Sequence, residues 1–174
     1  MARKVFFSFH YDRDTWRVSQ VRNSNLLFES PPFLDGAAWE AIKRKGATSV
    51  KAWIDSQLHG TSVTCVLIGN QTSTREWVHY EIQKSFTEGK GLLGIYIHNV
   101  KHSDGQVDRM GGNPFDVATV PTEFGALSVT RAAILAGRPI KLYDWVRNAG
   151  SARDWQNNQN FASWVEGAAK EVGR

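Results

Sequence analysis

The sequence predicts an α/β fold, a doubly wound and mainly parallel sheet with helices on both faces. Three observations carry this. Apolar runs rich in β-branched and aromatic residues recur along the chain, separated by helical stretches. Two of those runs, VTCVLI and LLGIYI, are almost continuously apolar, the pattern of strands covered on both faces of a parallel sheet. The stretches between them repeat apolar residues at three- and four-residue spacing, which gives a helix one buried stripe.

Taken in order, Lys4 to Phe9 is the first strand and Leu26 to Glu29 a weaker second. Thr48 or Ser49 is placed to cap a helix whose stripe is Val50, Trp53, Ile54 and Leu58, with Gly60 to end it. Ser62 to Ile68 is the next strand. Ser73 or Thr74 then caps a helix with Val78, Ile82 and Phe86 inward and Gly89 at its stop. Leu92 to His98 and Pro139 to Tyr143 complete the strands, and a last helix over about 160–172 buries Phe161, Trp164, Val165, Ala168 and Val172. Asn23 to Gly46 and Asn99 to Arg138 are irregular and rich in turn formers, and loops this long are often functional. With no internal repeat and no shift of composition, residues 1–174 read as one domain, its core over about 3–145.

Composition excludes more than it assigns. The 21 Lys and Arg exceed the 17 acids by four, but no run of four bases occurs, so no nucleic-acid-binding stripe is expected. No apolar run approaches the ~18 residues of a membrane span, and the start MARKVFFSF turns polar at His10 before a signal peptide could form. The expectation is a cytoplasmic protein with no membrane partner. The single cysteine, Cys65, lies inside VTCVLI, where a buried inert thiol is expected.

Ligands of doubly wound sheets bind at the carboxyl ends of the strands. That rule selects Phe9, His10, Tyr11 and Asp12 after the first strand, Gly69 to Thr72 after the third, and His98 with Asn99 after the fourth. Gly89, Gly91 and Gly94 form a G-x-G-x-x-G pattern, but it follows a helix and enters a strand, the reverse of a dinucleotide fingerprint. Gly69 and Asn70 stand where a response-regulator receiver needs its acceptor aspartate, and His10 to Arg13 replace the Ser/Thr/Gly-rich loop of a flavodoxin. His98, His102, Asp104 and Asp108 match no metal-ligand spacing on one element, so a solvated loop is expected and no metal is assigned.

One segment rises above this background, TSTREWVHYEI at residues 72–82. In the helix it opens, Trp77 and Glu81 are one turn apart beside the stripe of Val78 and Ile82, so an acid and an indole meet at the edge of the core. A partly desolvated carboxylate beside an aromatic wall suits a ribose and a charged ring. Periodicity leaves the alternative open, a surface glutamate paired with Lys84 or Lys90.

KVFFSFHYDRD resembles the first-strand motif of TIR domains, and REWVHYEI is similar to the W-x-x-x-E helix motif that carries the catalytic glutamate of TIR NAD hydrolases. QVRNS, WIDSQL, TSVTCVLIGNQT, GLLGIYIHN and GGNPFD extend the likeness to the bacterial TIR-like family that includes the Thoeris anti-phage B protein. The resemblance implies a flavodoxin-like fold and cleavage of NAD at the nicotinamide–ribose bond. The product is a cyclic ADP-ribose isomer or another ADP-ribose-derived signal for a separate effector protein. NAD is then substrate, with no cofactor, and a homo-oligomer is compatible with the family. Glu81 and Trp77 match the motif directly, as the catalytic carboxylate and the stacking ring. Phe9, His10 and Tyr11 fall on the loop that contacts substrate, and Phe28 to Asp35 near the mobile second loop. Basic residues common after the first strand of such domains are missing here, which assigns phosphate contacts to Arg13, Arg22 or Arg75. Asn23, Asn70, Thr74, His98 and Asn99 complete the substrate-binding candidates. Two other classes remain beside this reading: a non-catalytic TIR-like interaction module, and a nucleoside N-glycosidase or deoxyribosyltransferase.

Overall fold

The computed structural model describes residues 3–23, 36–116, 140–145 and 152–174. Four strands, β1 (Val5–Ser8), β2 (Val63–Ile68), β3 (Gly91–Tyr96) and β4 (Lys141–Asp144), form one sheet in the order β1-β2-β3-β4 with every pair parallel. Ser8 stands opposite Val66, and Ile68 opposite Tyr96, so all carboxyl ends share one edge. Leu26 to Glu29 and Phe28 to Asp35 lie outside the described residues.

Side chains alternate strictly between the two faces, as a pleated strand requires. Val5, Phe7, Val63, Cys65, Leu67, Leu93 and Ile95 point to one face, where α1 (Tyr11–Asn23) contributes Val18 and Val21 and α5 (Ala152–Lys170) contributes Phe161 and Val165. Val66, Ile68, Leu92 and Tyr96 point to the other, against Val78 and Ile82 of α4 (Glu76–Thr87). Phe6 joins that second face to α2 (Gly36–Arg44) and α3 (Ala47–Leu58) through Trp39, Val50, Ile54 and Leu58. Each fully buried aliphatic side chain here contributes about 1.5–3 kcal/mol. Both faces are therefore covered, as the continuously apolar strands required.

The differences from expectation are local. α2 occupies part of the stretch read as irregular: AAWEAIK is too short to show a period, yet burial of Trp39 holds it as a helix. α3 begins at Ala47 after Gly46, and α4 at Glu76 after Arg75, so none of Thr48, Ser49, Ser73 and Thr74 is a side-chain cap. Thr72–Thr74 instead form a 3-10 turn leading into α4. α5 starts at Ala152, earlier than its apolar stripe suggested.

In GKGLLG, Gly89 takes the positive φ of the turn after α4, and Gly91 and Gly94 serve packing. A Cβ on Gly91 would stand 2.5 Å from the Ala168 carbonyl oxygen of α5, and one on Gly94 2.6 Å from Leu142. Cys65 is a free, fully buried thiol whose pKa burial pushes well up, the inert state its neighbours predicted.

Candidate functional site

Because β1 ends at Ser8 and α4 begins after the turn that follows β2, both deliver their residues to the carboxyl edge of the sheet. Glu81, on the face of α4 turned to β1, is 7% exposed, and the Ser8 hydroxyl donates a hydrogen bond to its Oε2. Burial pushes the Glu81 pKa from 4.5 up to about 8, and the hydrogen bond from Ser8 opposes that rise. The glutamate is thus no surface residue. Lys84 pairs instead with Asp55 and Glu88, while Lys90 donates to the carbonyls of Leu58 and Thr61 and pairs with Glu88.

An aromatic wall leads away from β1. The rings of Phe9 and Tyr11 stack at 5.6 Å, Tyr11 meets Trp39 at 5.2 Å, and Trp39 meets Trp53 edge-on at 5.4 Å. Trp77 packs against the same cluster and sets its ring at 82° to Tyr80. Tyr80 in turn donates to Asp55 on α3. The carboxylate and its neighbouring indole are therefore anchored by a rigid helix pair.

Two nitrogen-bearing side chains lie near this edge, one after β1 and one before α4. His10 precedes α1 and is 8% exposed, and among the described residues its Nδ1 has no hydrogen-bond partner. Desolvation first, and the nearby charge of Arg75 second, bring its pKa down to about 4, so the imidazole is neutral at pH 7. Arg75 precedes α4, donates through Nη2 to Gln71, and leaves Nε buried with no partner among the described residues. Buried donors in this condition suit a polar ligand.

The remaining candidates divide by place. Asn70 gives an amide hydrogen to Asp108 at 3.2 Å, and Thr74 gives its hydroxyl to the Gln71 carbonyl. His98 sits edge-on to Tyr96 with Nδ1 buried and unpartnered among the described residues, and Asn99 is exposed on the turn beyond it. Arg22 and Asn23 close α1, about 18 Å along the helix from its start at Tyr11. Arg13, in the first turn of α1, pairs through its guanidinium with Asp108 at 2.8 Å.

Ser103 to Val107 are exposed, as expected of a solvated loop, while Asp108 is half-buried and firmly bonded. Arg13, Asn70 and the Arg109 backbone N–H all donate to it, and their hydrogen bonds outweigh its desolvation, holding its carboxyl down at about 2. Arg17, buried beside it, donates to the Val100 carbonyl and pairs with Asp14 at 3.5 Å. Residues 98–116 are in this way bound to α1 and to the loop after β2. A Cβ on Gly111 would lie 2.0 Å from the Gly69 carbonyl oxygen, and one on Gly69 2.1 Å from Asp14 Oδ2. Among the described residues no group of three His, Cys, Asp or Glu could hold a metal, and no helix is long and apolar enough to cross a membrane.

Sequence reasoning missed Ser8, Asp14, Arg17 and Trp39. Ser8 had a visible signal, the one hydroxyl inside the apolar VFFSF; Asp14 and Arg17 had only their three-residue spacing, because the Val100 carbonyl that accepts from Arg17 is 83 residues away.

The family model described as Thoeris protein ThsB, TIR-like domain, matches residues 6–102, more than half of the chain. A protein of Bacillus cereus (strain MSX-D12) named "Putative cyclic ADP-D-ribose synthase ThsB1" is 44% identical over 120 residues, covering 67% of this chain. The match spans 62% of that relative's own length.

Proposed function

This chain belongs to the TIR-like family of Thoeris protein ThsB, and from that premise we propose that it cleaves NAD at the nicotinamide–ribose bond with Glu81 as its catalytic carboxylate. The cleaved ADP-ribose portion becomes a cyclic ADP-ribose isomer or a related signal, read by a separate effector during anti-phage defence. The observation that carries this reading is the buried carboxyl of Glu81, held at the carboxyl edge of the sheet one turn from Trp77.

The chemistry needs only one carboxylate. When the bond from the anomeric carbon to the pyridinium nitrogen breaks, its electron pair stays on nitrogen and nicotinamide departs neutral. No general acid has to protonate it, whereas an ordinary glycosidase needs a second carboxyl group for that purpose. Glu81 grips the ribose hydroxyls and stabilises the positive charge that grows on the sugar ring, in a site where low dielectric strengthens the attraction. The substrate brings its own cation, so its arrival favours the ionised carboxylate. Phe9, Tyr11 and Trp77 offer faces for the departing ring, and Arg75 with His10 offers donors to the pyrophosphate. An adenosine-ribose hydroxyl, another nucleophile or water then captures the sugar cation, and exclusion of water decides among them.

The test of substrate class is product chromatography with mass detection after incubation with NAD or with a panel of free nucleosides, using purified protein and extract of infected cells expressing it. Nicotinamide with an ADP-ribose derivative from NAD alone is expected. Consumption of nucleosides without NAD overturns the assignment in favour of a glycosidase or transferase, and consumption of neither favours an interaction module.

A further inference from the structure

β1 carries one polar side chain in four, and that residue is fully buried. A hydroxyl removed from water costs stability unless it is hydrogen-bonded, so a valine or alanine would serve packing better than Ser8 does. Its position explains it. Phe6 and Ser8 share the face of β1 that looks toward α3 and α4; Phe6 fills the apolar cluster there, and Ser8 donates to Glu81 Oε2 across 73 residues of sequence. Among the described residues this is the sole hydrogen bond given to the Glu81 carboxyl. One turn further along α4, Ser85 meets Thr64 of β2 at 2.7 Å, equally buried. Helix α4 is therefore fixed to the sheet by two hydroxyl contacts in line, with Glu81 at the first and a carboxyl-free pair at the second. The second pair sets the helix on the sheet. The first adds something that register alone does not need.

We propose that Ser8 is a positioning residue for the reaction: its hydroxyl turns the Glu81 carboxyl toward the carboxyl edge of the sheet and supplies a hydrogen bond that favours the carboxylate over the acid. This rests on the assignment of Glu81 as the catalytic carboxylate. Burial alone favours the neutral acid, which cannot stabilise a sugar cation; a donated hydrogen bond shifts the balance back toward charge. Hydrogen bonds to charged groups are worth about ten- to a hundredfold in such an equilibrium. Ser8 thus raises the fraction of the enzyme that meets its substrate in the ionised form.

The experiment compares wild type, Ser8→Ala and Thr64→Val by carbon NMR titration of the Glu81 side-chain carboxyl and by the pH profile of kcat/KM for NAD. Removal of the Ser8 hydroxyl is expected to raise the Glu81 titration midpoint by about one pH unit or more, and to lower kcat/KM at pH 7 about tenfold or more while leaving the alkaline plateau less affected. Thr64→Val removes an equally buried hydrogen bond from the same helix–sheet contact and leaves the midpoint in place. An unchanged midpoint in Ser8→Ala overturns the proposal, and so do equal shifts in both variants, which make the effect one of packing. If Ser8→Ala does not fold, Ser8→Thr, which keeps the hydroxyl, must keep the wild-type midpoint; a shift there also overturns it. The NMR arm reads Glu81 without turnover, so NAD left intact by wild type defeats the functional reading while the coupling of Ser8 to Glu81 is still measured.

Discussion

Replacing Glu81 with glutamine should make the protein more stable, and the gain should depend on pH in a defined direction. The carboxyl titrates at about 8 in the folded chain against 4.5 for the ordinary group, because burial disfavours its charge more than the Ser8 hydrogen bond favours it. Its folded-state pKa is raised, so the folded state binds the proton more tightly than the unfolded one. The associated stability is fully present below pH 4.5 and is lost as pH rises through about 8. Each pH unit in that interval is worth 1.36 kcal/mol, which amounts to about 3 kcal/mol by pH 7 and approaches 5 above pH 8.5. Glutamine keeps the shape, still accepts from Ser8 and carries no charge at any pH. Urea unfolding of both proteins at pH 4.5, 7 and 8.5 reads the difference, with equal m values required for a fair comparison. Near equality is expected at pH 4.5, widening to several kcal/mol in favour of Glu81→Gln at pH 8.5. A gap that stays constant across the three pH values refutes the claim that this carboxyl is charged at a cost to folding. A stabilised but inactive variant is the signature of a strained functional group rather than of damage.

Arg75→Gln should raise the His10 titration from about 4, followed by the imidazole proton NMR signals; desolvation, the larger cause, keeps it well under 6.5, and a midpoint that does not move contradicts the neighbourhood described for Arg75. Asp108→Asn should cost about 2 kcal/mol at pH 7, because the carboxyl sits at about 2 against an ordinary 3.8. That contribution is present above pH 3.8 and is lost as pH falls toward 2, so the urea midpoints of variant and wild type should converge in acid. Gly111→Ala places a methyl 2.0 Å from a backbone oxygen, and should destabilise by about 1–3 kcal/mol and open residues 98–116 to limited proteolysis. Unchanged thermal stability in that variant contradicts the close contact with Gly69.

Much of this architecture is legible in the sequence because periodicity reports burial. VTCVLI and LLGIYI lie on covered strands, and Val78 with Ile82 marks the inner stripe of α4, since a stripe of that width has few other uses. Glu81 was legible as a candidate, but its burial was not: whether an acid at the edge of a stripe reaches solvent or a strand depends on how far the helix is rotated on the sheet. Long-range pairing hid the rest. Asp108 resembles a loop aspartate until the chain folds Arg13, Arg17 and Asn70 around it. The capping hydroxyls near Ala47 and Glu76 misled for a related reason, because tertiary contacts set where those helices begin and local preferences yielded.

The claim on which the functional account turns is that one buried carboxylate breaks the nicotinamide–ribose bond. Nicotinamide release from NAD at saturating substrate, measured for wild type and Glu81→Gln in the same infected-cell extract and as purified protein, tests it most directly. Release by wild type and a loss of about 10² or more in Glu81→Gln are expected, with both proteins folded. Equal release by the two proteins contradicts it.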